Sequence, residues 1–128
     1  NTASMAGLQA LPFSGPYTAA KHAVVGMSDA LRVELAVTGS RVKVSALCPG
    51  WTQTAINSSG RAQGDVDDPV FQQAMATVAQ AVDTGMTVAQ VADQTVAAIR
   101  DGRFWVLPHT ELAQFAAHRL DEFRAPAG

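Results

Sequence analysis

One tyrosine and one lysine stand four residues apart in this sequence, and a serine lies upstream of them. Tyr17 and Lys21 begin a predicted helix, so their side chains share one face about 6 Å apart. Ser4 precedes a loop, residues 5–15, whose glycines and prolines can turn the serine hydroxyl back towards the helix. A free phenol has a pKa of about 10, so it is a poor base unless a nearby positive charge stabilises its anion. These three side chains therefore indicate a proton-transfer site.

The elements that must position these residues follow the order of an α/β protein. Apolar residues at helical spacing, with caps and breakers at the ends, predict helices over 16–37, 69–82, 87–102 and 110–124. Short β-branched and apolar runs predict strands over 1–4, 41–48 and 104–107. On the first helix, the stripe expected to face the core consists of Val24, Met27, Leu31 and Leu35. This order is half of a doubly wound α/β fold.

Two of the predicted strands end in small, turn-forming sequence, one at Ser4 and the other at Cys48, which Pro49 and Gly50 follow. Ligands of open α/β sheets bind outside the carboxyl ends of the strands, so we expect the chemistry to lie between these two ends. Residues 51–68 are rich in polar and structure-breaking types, which predicts a mobile flap over the site.

Composition excludes several classes of partner. Nine Lys and Arg against eleven Asp and Glu give a net charge of −2 without a basic cluster, which argues against nucleic acid. No apolar run reaches the ~20 residues that span a bilayer, so we expect no membrane association and a cytoplasmic protein. Cys48 is the single cysteine and is predicted to be a small buried hydrophobe. His22, His109 and His118 show no metal-ligand spacing, and we assign no metal.

Three segments carry a resemblance to a known family. The runs NTASMAG, YTAAKHAVVGMSDALRVEL and VKVSALCPGWTQT resemble, in order and spacing, the active-site half of the short-chain dehydrogenase/reductase family. The resemblance implies the C-terminal half of a Rossmann-like, doubly wound parallel sheet with flanking helices. It also implies hydride exchange between NAD or NADP and an alcohol or carbonyl. In that reaction Tyr17 would be the general acid/base, Lys21 its electrostatic partner and ribose anchor, and Ser4 the group that orients the substrate oxygen.

The resemblance also implies a cofactor segment, residues 49–54, and a substrate pocket. Beside Tyr17 and Lys21, the implied cofactor-binding residues are Pro49, Gly50, Thr52 and Thr54. The residues assigned to the pocket are Met5, Phe13, Trp51 and Ile56. Apolar residues in the loop favour a small-molecule alcohol or ketone with hydrophobic bulk as the substrate.

Other family features are expected outside these residues. We interpret 1–128 as the catalytic and substrate-binding part of one domain. Its cofactor-binding half, with the glycine-rich turn and the active-site Asn, would be absent, because the sequence contains no G-x-G-x-x-G. Ser45 stands where family members often carry Asn, which we expect to affect local packing. These residues alone are expected to be inactive. The alternative is a non-catalytic relative that serves as a binding or oligomerisation module.

The helix over 16–37 has a second expected role. In relatives it pairs with its copy in another subunit, and its outward residues here mix charge with small side chains. They include His22, Asp29, Arg32 and Glu34. We expect a homo-oligomer through this helix, and solvent exposure of the same face is the alternative.

Overall fold

The computed structural model describes residues 1–58 and 67–114, together with Ala117, Asp121 and Arg124. In this part of the chain the helices are α1 (Gly15–Val37), α2 (Pro69–Asp83) and α3 (Val88–Arg100). The strands are β1 (Ala46–Leu47) and β2 (Trp105–Val106). Short 3-10 helices cover Met5–Gly7, Ala55–Ser58 and Thr110–Leu112. The predicted order of helices and strands is confirmed where the chain is described.

The sheet is parallel, as the α/β prediction requires. β1 pairs with β2 in the register that places Ala46 opposite Trp105 and Leu47 opposite Val106. On the other side of β1, Thr2 forms a parallel bridge with Leu47. Three extended segments therefore run in the same direction, and two of them lead directly into Ser4 and Pro49.

The strands predicted over 41–48 and 104–107 are longer than the strands β1 and β2 of the structure. The ladder between them begins with the Ala46 N–H, which donates to the Phe104 carbonyl at 2.7 Å. It continues with the Cys48 N–H, which donates to the Val106 carbonyl at 2.9 Å. Upstream, Val42 is 65% exposed. The prediction over 41–48 was wrong in extent because the partner segments reach β1 only from about Ser45 onwards.

The core lies where α1 covers the sheet, and its buried members are Ala3, Met5 and Cys48. The predicted stripe of α1 was wrong in part, since Met27 is 72% exposed and Leu31 is 41% exposed. The face turned inward includes Ser28, which is fully buried. The Ser28 hydroxyl donates to the Val24 carbonyl at 2.6 Å, so burial leaves no unpaired proton on it.

Capping residues set the helix ends near the site. Asp68 caps α2, and its carboxylate accepts hydrogen bonds from the N–H groups of Val70 and Phe71. Thr87 and Gln90 form a reciprocal capping box at the start of α3. The connection between these helices is short because α2 ends at Asp83 and Thr87 already caps α3. Met86 within it forms a parallel bridge with Thr52.

Two predictions fall partly outside the described residues. Of the flap expected over 51–68, residues 59–66 are not described. Of the helix expected over 110–124, the structure describes the 3-10 helix Thr110–Leu112 and further helical residues, namely Ala113, Gln114, Ala117, Asp121 and Arg124. Among the described helices, none combines the length and the apolar character needed to cross a membrane.

Candidate active site

The 3-10 helix after Ser4 packs directly against α1. A Cβ added at Gly7 would lie 2.7 Å from the Lys21 carbonyl oxygen and 2.8 Å from a methyl carbon of Val25, so only glycine permits this approach. Ser4 caps the short helix, and its hydroxyl oxygen accepts a hydrogen bond from the Ala6 N–H at 3.1 Å. The loop therefore brings the serine to the turn of α1 that carries Lys21.

The Lys21 ammonium lies between the phenol and the end of the first extended segment. Its nitrogen is 5.6 Å from the centre of the Tyr17 ring. The same ammonium donates to the Thr2 carbonyl at 3.4 Å. Tyr17 is 45% exposed, whereas Lys21 is half-buried. The positive charge is thus held beside an accessible phenol, at the sheet edge where the strands end.

Cys48 lies beneath this charge and is fully buried, as predicted. Burial raises the pKa of the Cys48 thiol, and a backbone hydrogen bond of Ser4 and the Lys21 charge lower it by less. The thiol therefore stays protonated near neutral pH. Its electrostatic coupling to Lys21 and its bond to Ser4 show that the ends of the two strands converge here.

Backbone hydrogen bonds fix the cofactor segment on two sides. The Met5 N–H donates to the Pro49 carbonyl at 2.9 Å, which ties the segment to the 3-10 helix after Ser4. The Met86 N–H donates to the Trp51 carbonyl at 3.0 Å, and the Gln53 N–H donates to the Met86 carbonyl at 2.9 Å. The connection between α2 and α3 therefore pairs with the cofactor segment like a short parallel strand.

A buried histidine holds the same segment from a third side, and the sequence analysis missed it. His109 is 5% exposed. Its Nδ1 accepts a hydrogen bond from the Gly50 N–H at 3.0 Å, and its Nε2 lies 2.7 Å from the Trp51 carbonyl oxygen. From the sequence, His109 was considered only as a possible metal ligand, which gives no indication of this role. The one signal that could have indicated it is the position of His109 next to the end of a buried strand.

Two further residues expected to bind the cofactor, Thr52 and Thr54, carry hydroxyl groups. Thr52 is half-buried, and its hydroxyl donates to the Gly50 carbonyl at 3.3 Å. Thr54 is exposed. Within the described residues, no group of three His, Cys, Asp or Glu side chains is placed to hold a metal ion.

The four residues assigned to the substrate pocket lie in different surroundings. Met5 is in the buried core, whereas Phe13 is 57% exposed and Ile56 is 56% exposed. Phe13 adopts a left-handed conformation with φ of 56°, and its ring meets that of Phe71 edge-to-face at 5.6 Å. Phe71 was not predicted to contact the loop. The roles of these side chains in a pocket stay predictions.

Trp51 lies beside an open cavity of about 440 Å³. The cavity is bounded by the connection between α2 and α3 and by the segment that follows β2. Its lining includes Trp51, Thr84, Met86, Gln90, His109 and Glu111. Trp51 and His109 thus line open space on the side of the cofactor segment where α2 and α3 meet.

A parallel sheet flanked by helices, with polar side chains gathered at the carboxyl ends of its strands, defines an α/β protein of the Rossmann type. Residues 1–65 match the family model described as short chain dehydrogenase. The chain therefore belongs to the short-chain dehydrogenase/reductase family, as the resemblance of its motifs implied.

Individual relatives agree with this assignment. The chain is 31% identical over 120 residues to a CLA biosynthesis dehydrogenase/reductase of Lactiplantibacillus plantarum, covering 87% of this chain and 42% of the relative. It is 35% identical over 97 residues to a D-beta-hydroxybutyrate dehydrogenase of Rhizobium meliloti, covering 72% of this chain and 36% of the relative. A crystal structure of a family member from Burkholderia phymatum in complex with NAD matches with a TM-score of 0.83 and 31% identity, covering all of this chain and 49% of that one. The chain spans less than half the length of each.

Proposed function

We propose that this chain forms the catalytic part of an NAD- or NADP-dependent oxidoreductase that interconverts an alcohol and a carbonyl compound. The observation that carries the proposal is the position of the Lys21 ammonium, 5.6 Å from the centre of the Tyr17 ring. The pair lies on α1 next to the point where two parallel segments end. A phenol beside a fixed positive charge can exchange a proton with a substrate oxygen, because the charge stabilises the phenolate.

Each of the three side chains has one task in this proposal. Tyr17 donates its phenolic proton to the carbonyl oxygen during reduction and takes the alcohol proton during oxidation. Lys21 stabilises the phenolate that remains after donation. Ser4 hydrogen-bonds to the same substrate oxygen. Because the Ser4 oxygen accepts from the Ala6 N–H, its own proton is oriented away from that bond and is available to the substrate.

The donor groups at the site fit the nicotinamide end of a dinucleotide, which supplies or accepts the hydride when bound. Ribose hydroxyls and a carboxamide need hydroxyl and ammonium partners, and Lys21, Tyr17, Thr52 and Thr54 carry such groups. The bond from Lys21 to the Thr2 carbonyl uses one of the three N–H groups of the ammonium, so a ribose hydroxyl can accept another. In our proposal the backbone around Thr52 faces the carboxamide.

The substrate we propose has hydrophobic bulk. The edge-to-face pair of Phe13 and Phe71 presents aromatic surface on the loop that follows Ser4, and Phe13 is 57% exposed. Apolar area of this kind favours an alcohol or ketone with an aliphatic or aromatic body over a small polar one.

Replacement of Tyr17 by Phe in the protein as its gene encodes it tests the proposal. We expect turnover to fall by about 10²- to 10⁴-fold, because the acid/base is lost. The dissociation constants of NADH and NADPH, measured by fluorescence titration, should rise by at most about tenfold, because one hydrogen bond to the cofactor is lost while those of Lys21 and Thr52 remain. Phe104→Leu, a change in a half-buried aromatic side chain just before β2, at the end of the strand away from Ser4 and Pro49, is the control. Retained turnover in Tyr17→Phe would overturn the proposal and favour a binding or oligomerisation module.

We also propose that α1 joins two copies of the chain. One exposed face of α1 carries only small and aliphatic side chains at heptad-like spacing, namely Ala19, Ala23, Gly26, Ala30, Val33 and Val37. Of the charged residues expected at the interface, Asp29 and Arg32 bind each other at 2.6 Å, and Arg32 lies over the Phe104 ring at 4.8 Å. The small-residue face therefore suits close helix packing better than the charged one.

A further inference from the structure

The hydrogen-bond pattern between β1 and β2 is completed by a side chain. Successive donors of β1 are the N–H groups of Ala46 and Cys48, which bond to the carbonyls of Phe104 and Val106. A regular parallel ladder would continue from Gly50 to Pro108. Instead the Gly50 N–H donates to Nδ1 of His109 at 3.0 Å. The imidazole therefore extends the ladder by one step beyond the end of the paired strands.

The two partners of the ring fix its protonation form. Nδ1 must be unprotonated because it accepts from the Gly50 N–H, whereas Nε2 carries the proton because it faces the Trp51 carbonyl oxygen at 2.7 Å. The Trp51 carbonyl also accepts from the Met86 N–H at 3.0 Å, so both of its lone pairs are used. A single neutral ring thus satisfies a donor and an acceptor on consecutive residues of the cofactor segment.

The two hydrogen bonds of His109 matter for the cofactor segment because the ring is buried and because the bonds lie at the start of that segment. His109 is 5% exposed, and an unpaired Gly50 N–H at the same place would be costly. Without the ring, Trp51 would keep its bond to Met86, but the Gly50 N–H would lose its partner at the end of the ladder. The backbone of Gly50 and Thr52 leads into the part of the segment proposed to face the nicotinamide.

We propose that His109 is a positioning residue that holds the cofactor segment in its binding conformation before the cofactor arrives. The inference rests on the proposed function, since it assigns His109 a role in binding the same dinucleotide. It makes His109 a determinant of cofactor affinity rather than of the chemical step. A preorganised segment binds the cofactor more tightly because the segment loses less conformational entropy on binding.

Two substitutions separate this role from simple packing. His109→Phe fills the site but removes both hydrogen bonds. His109→Asn places an amide oxygen near the position of Nδ1, so it restores the acceptor for the Gly50 N–H. Thr110→Ala, a change in the exposed neighbouring residue, is the control. All three are made in the protein as its gene encodes it.

For His109→Phe we expect about tenfold faster hydrogen–deuterium exchange in the cofactor segment of the cofactor-free protein, measured by mass spectrometry. The dissociation constants of NADH and NADPH should rise about tenfold, while kcat at saturating cofactor stays within about threefold. His109→Asn should restore exchange and affinity to within about threefold of the unsubstituted protein. Thr110→Ala should change neither.

Three outcomes would overturn the inference. Unchanged exchange in His109→Phe would show that the ring does not hold the segment. A lower Tm with unchanged cofactor affinity in both His109 variants would show a packing role only. If the unsubstituted protein binds neither NADH nor NADPH, the proposed function fails and this inference fails with it. In the first two outcomes the unsubstituted protein still binds cofactor, so only the inference about His109 fails.

Discussion

Gly85 lies directly against the carbonyl group of Trp51. A Cβ at position 85 would stand 2.6 Å from the Trp51 carbonyl carbon, and no side chain can occupy that space unless the backbone moves. The same carbonyl accepts hydrogen bonds from Met86 and His109. This contact therefore controls how closely the connection between α2 and α3 approaches the cofactor segment.

Gly85→Ala should destabilise the protein and displace the cofactor segment. We expect the free energy of unfolding to fall by about 1 to 3 kcal/mol, because the added methyl group overpacks a site bounded by backbone. Urea denaturation measures the change. Gly15→Ala, at the first residue of α1, is the matched control, since a Cβ there meets no heavy atom within 4 Å. Equal stability of the two variants would contradict the close approach of Gly85 and Trp51.

Lys21→Met should remove the positive charge beside Tyr17 while keeping the apolar stem of the side chain. We expect turnover to fall by about 10²-fold, since the phenolate loses its electrostatic stabilisation, and cofactor affinity should fall with it. Steady-state kinetics with NADH and NADPH measure both effects. Lys43→Met, at an exposed position before β1, is the control. If Lys21→Met keeps full turnover, the ammonium has no catalytic role.

Cys48 should make the protein less stable at alkaline pH. Burial raises the pKa of its thiol in the folded chain. Once the pH exceeds the pKa of the unfolded thiol, about 8.5, the unfolded chain releases a proton that the folded chain keeps. Stability is therefore fully present below that pH and falls, by up to about 1.4 kcal/mol per pH unit, until the folded thiol ionises.

Urea denaturation between pH 8 and 10 under reducing conditions measures this slope in the unsubstituted protein and in Cys48→Ala. The difference between the two proteins isolates the thiol, because every other titrating group is shared. A constant difference in the free energy of unfolding across this range would show that burial does not raise the pKa of Cys48.

Gly26→Leu should disrupt assembly without harming the subunit. Space around position 26 is open within the chain, and leucine is favoured over glycine in a helix by up to about 1 kcal/mol. A second helix packed on this face would meet the new side chain, so sedimentation velocity should show a smaller species. Ala36→Leu, on another exposed part of α1, should leave the assembly intact. An unchanged sedimentation coefficient for Gly26→Leu would place the interface elsewhere.

Helix bounds were predictable because their signals are local. Asp68 followed by Pro69 and the pairing of Thr87 with Gln90 lie within one turn of the helices they start. The ends of the strands were not predictable in the same way, because they depend on where a neighbouring segment that is far away in the sequence begins to form hydrogen bonds with the strand. Periodicity also misplaced part of the buried face of α1, because Ser28 satisfies its hydroxyl within its own helix and can be buried.

The site was predictable to different degrees for a similar reason. Tyr17 and Lys21 are linked by one helical turn, so their spacing alone places them together. The contacts of His109 join residues that lie 58 and 59 positions apart in the chain, and they go to backbone groups that carry no sequence signature. A histidine of this kind becomes visible only when the fold is known.

The ring of His109 has one consequence for how this protein can change over evolution. Main-chain rungs of a sheet survive nearly every amino-acid replacement, because each residue type except proline offers the same N–H and C=O groups. Here the terminal rung is encoded by a side chain, so a single codon change can delete it. Selection can therefore remove or restore the hydrogen bond to Gly50 while the pairing of the strands stays the same.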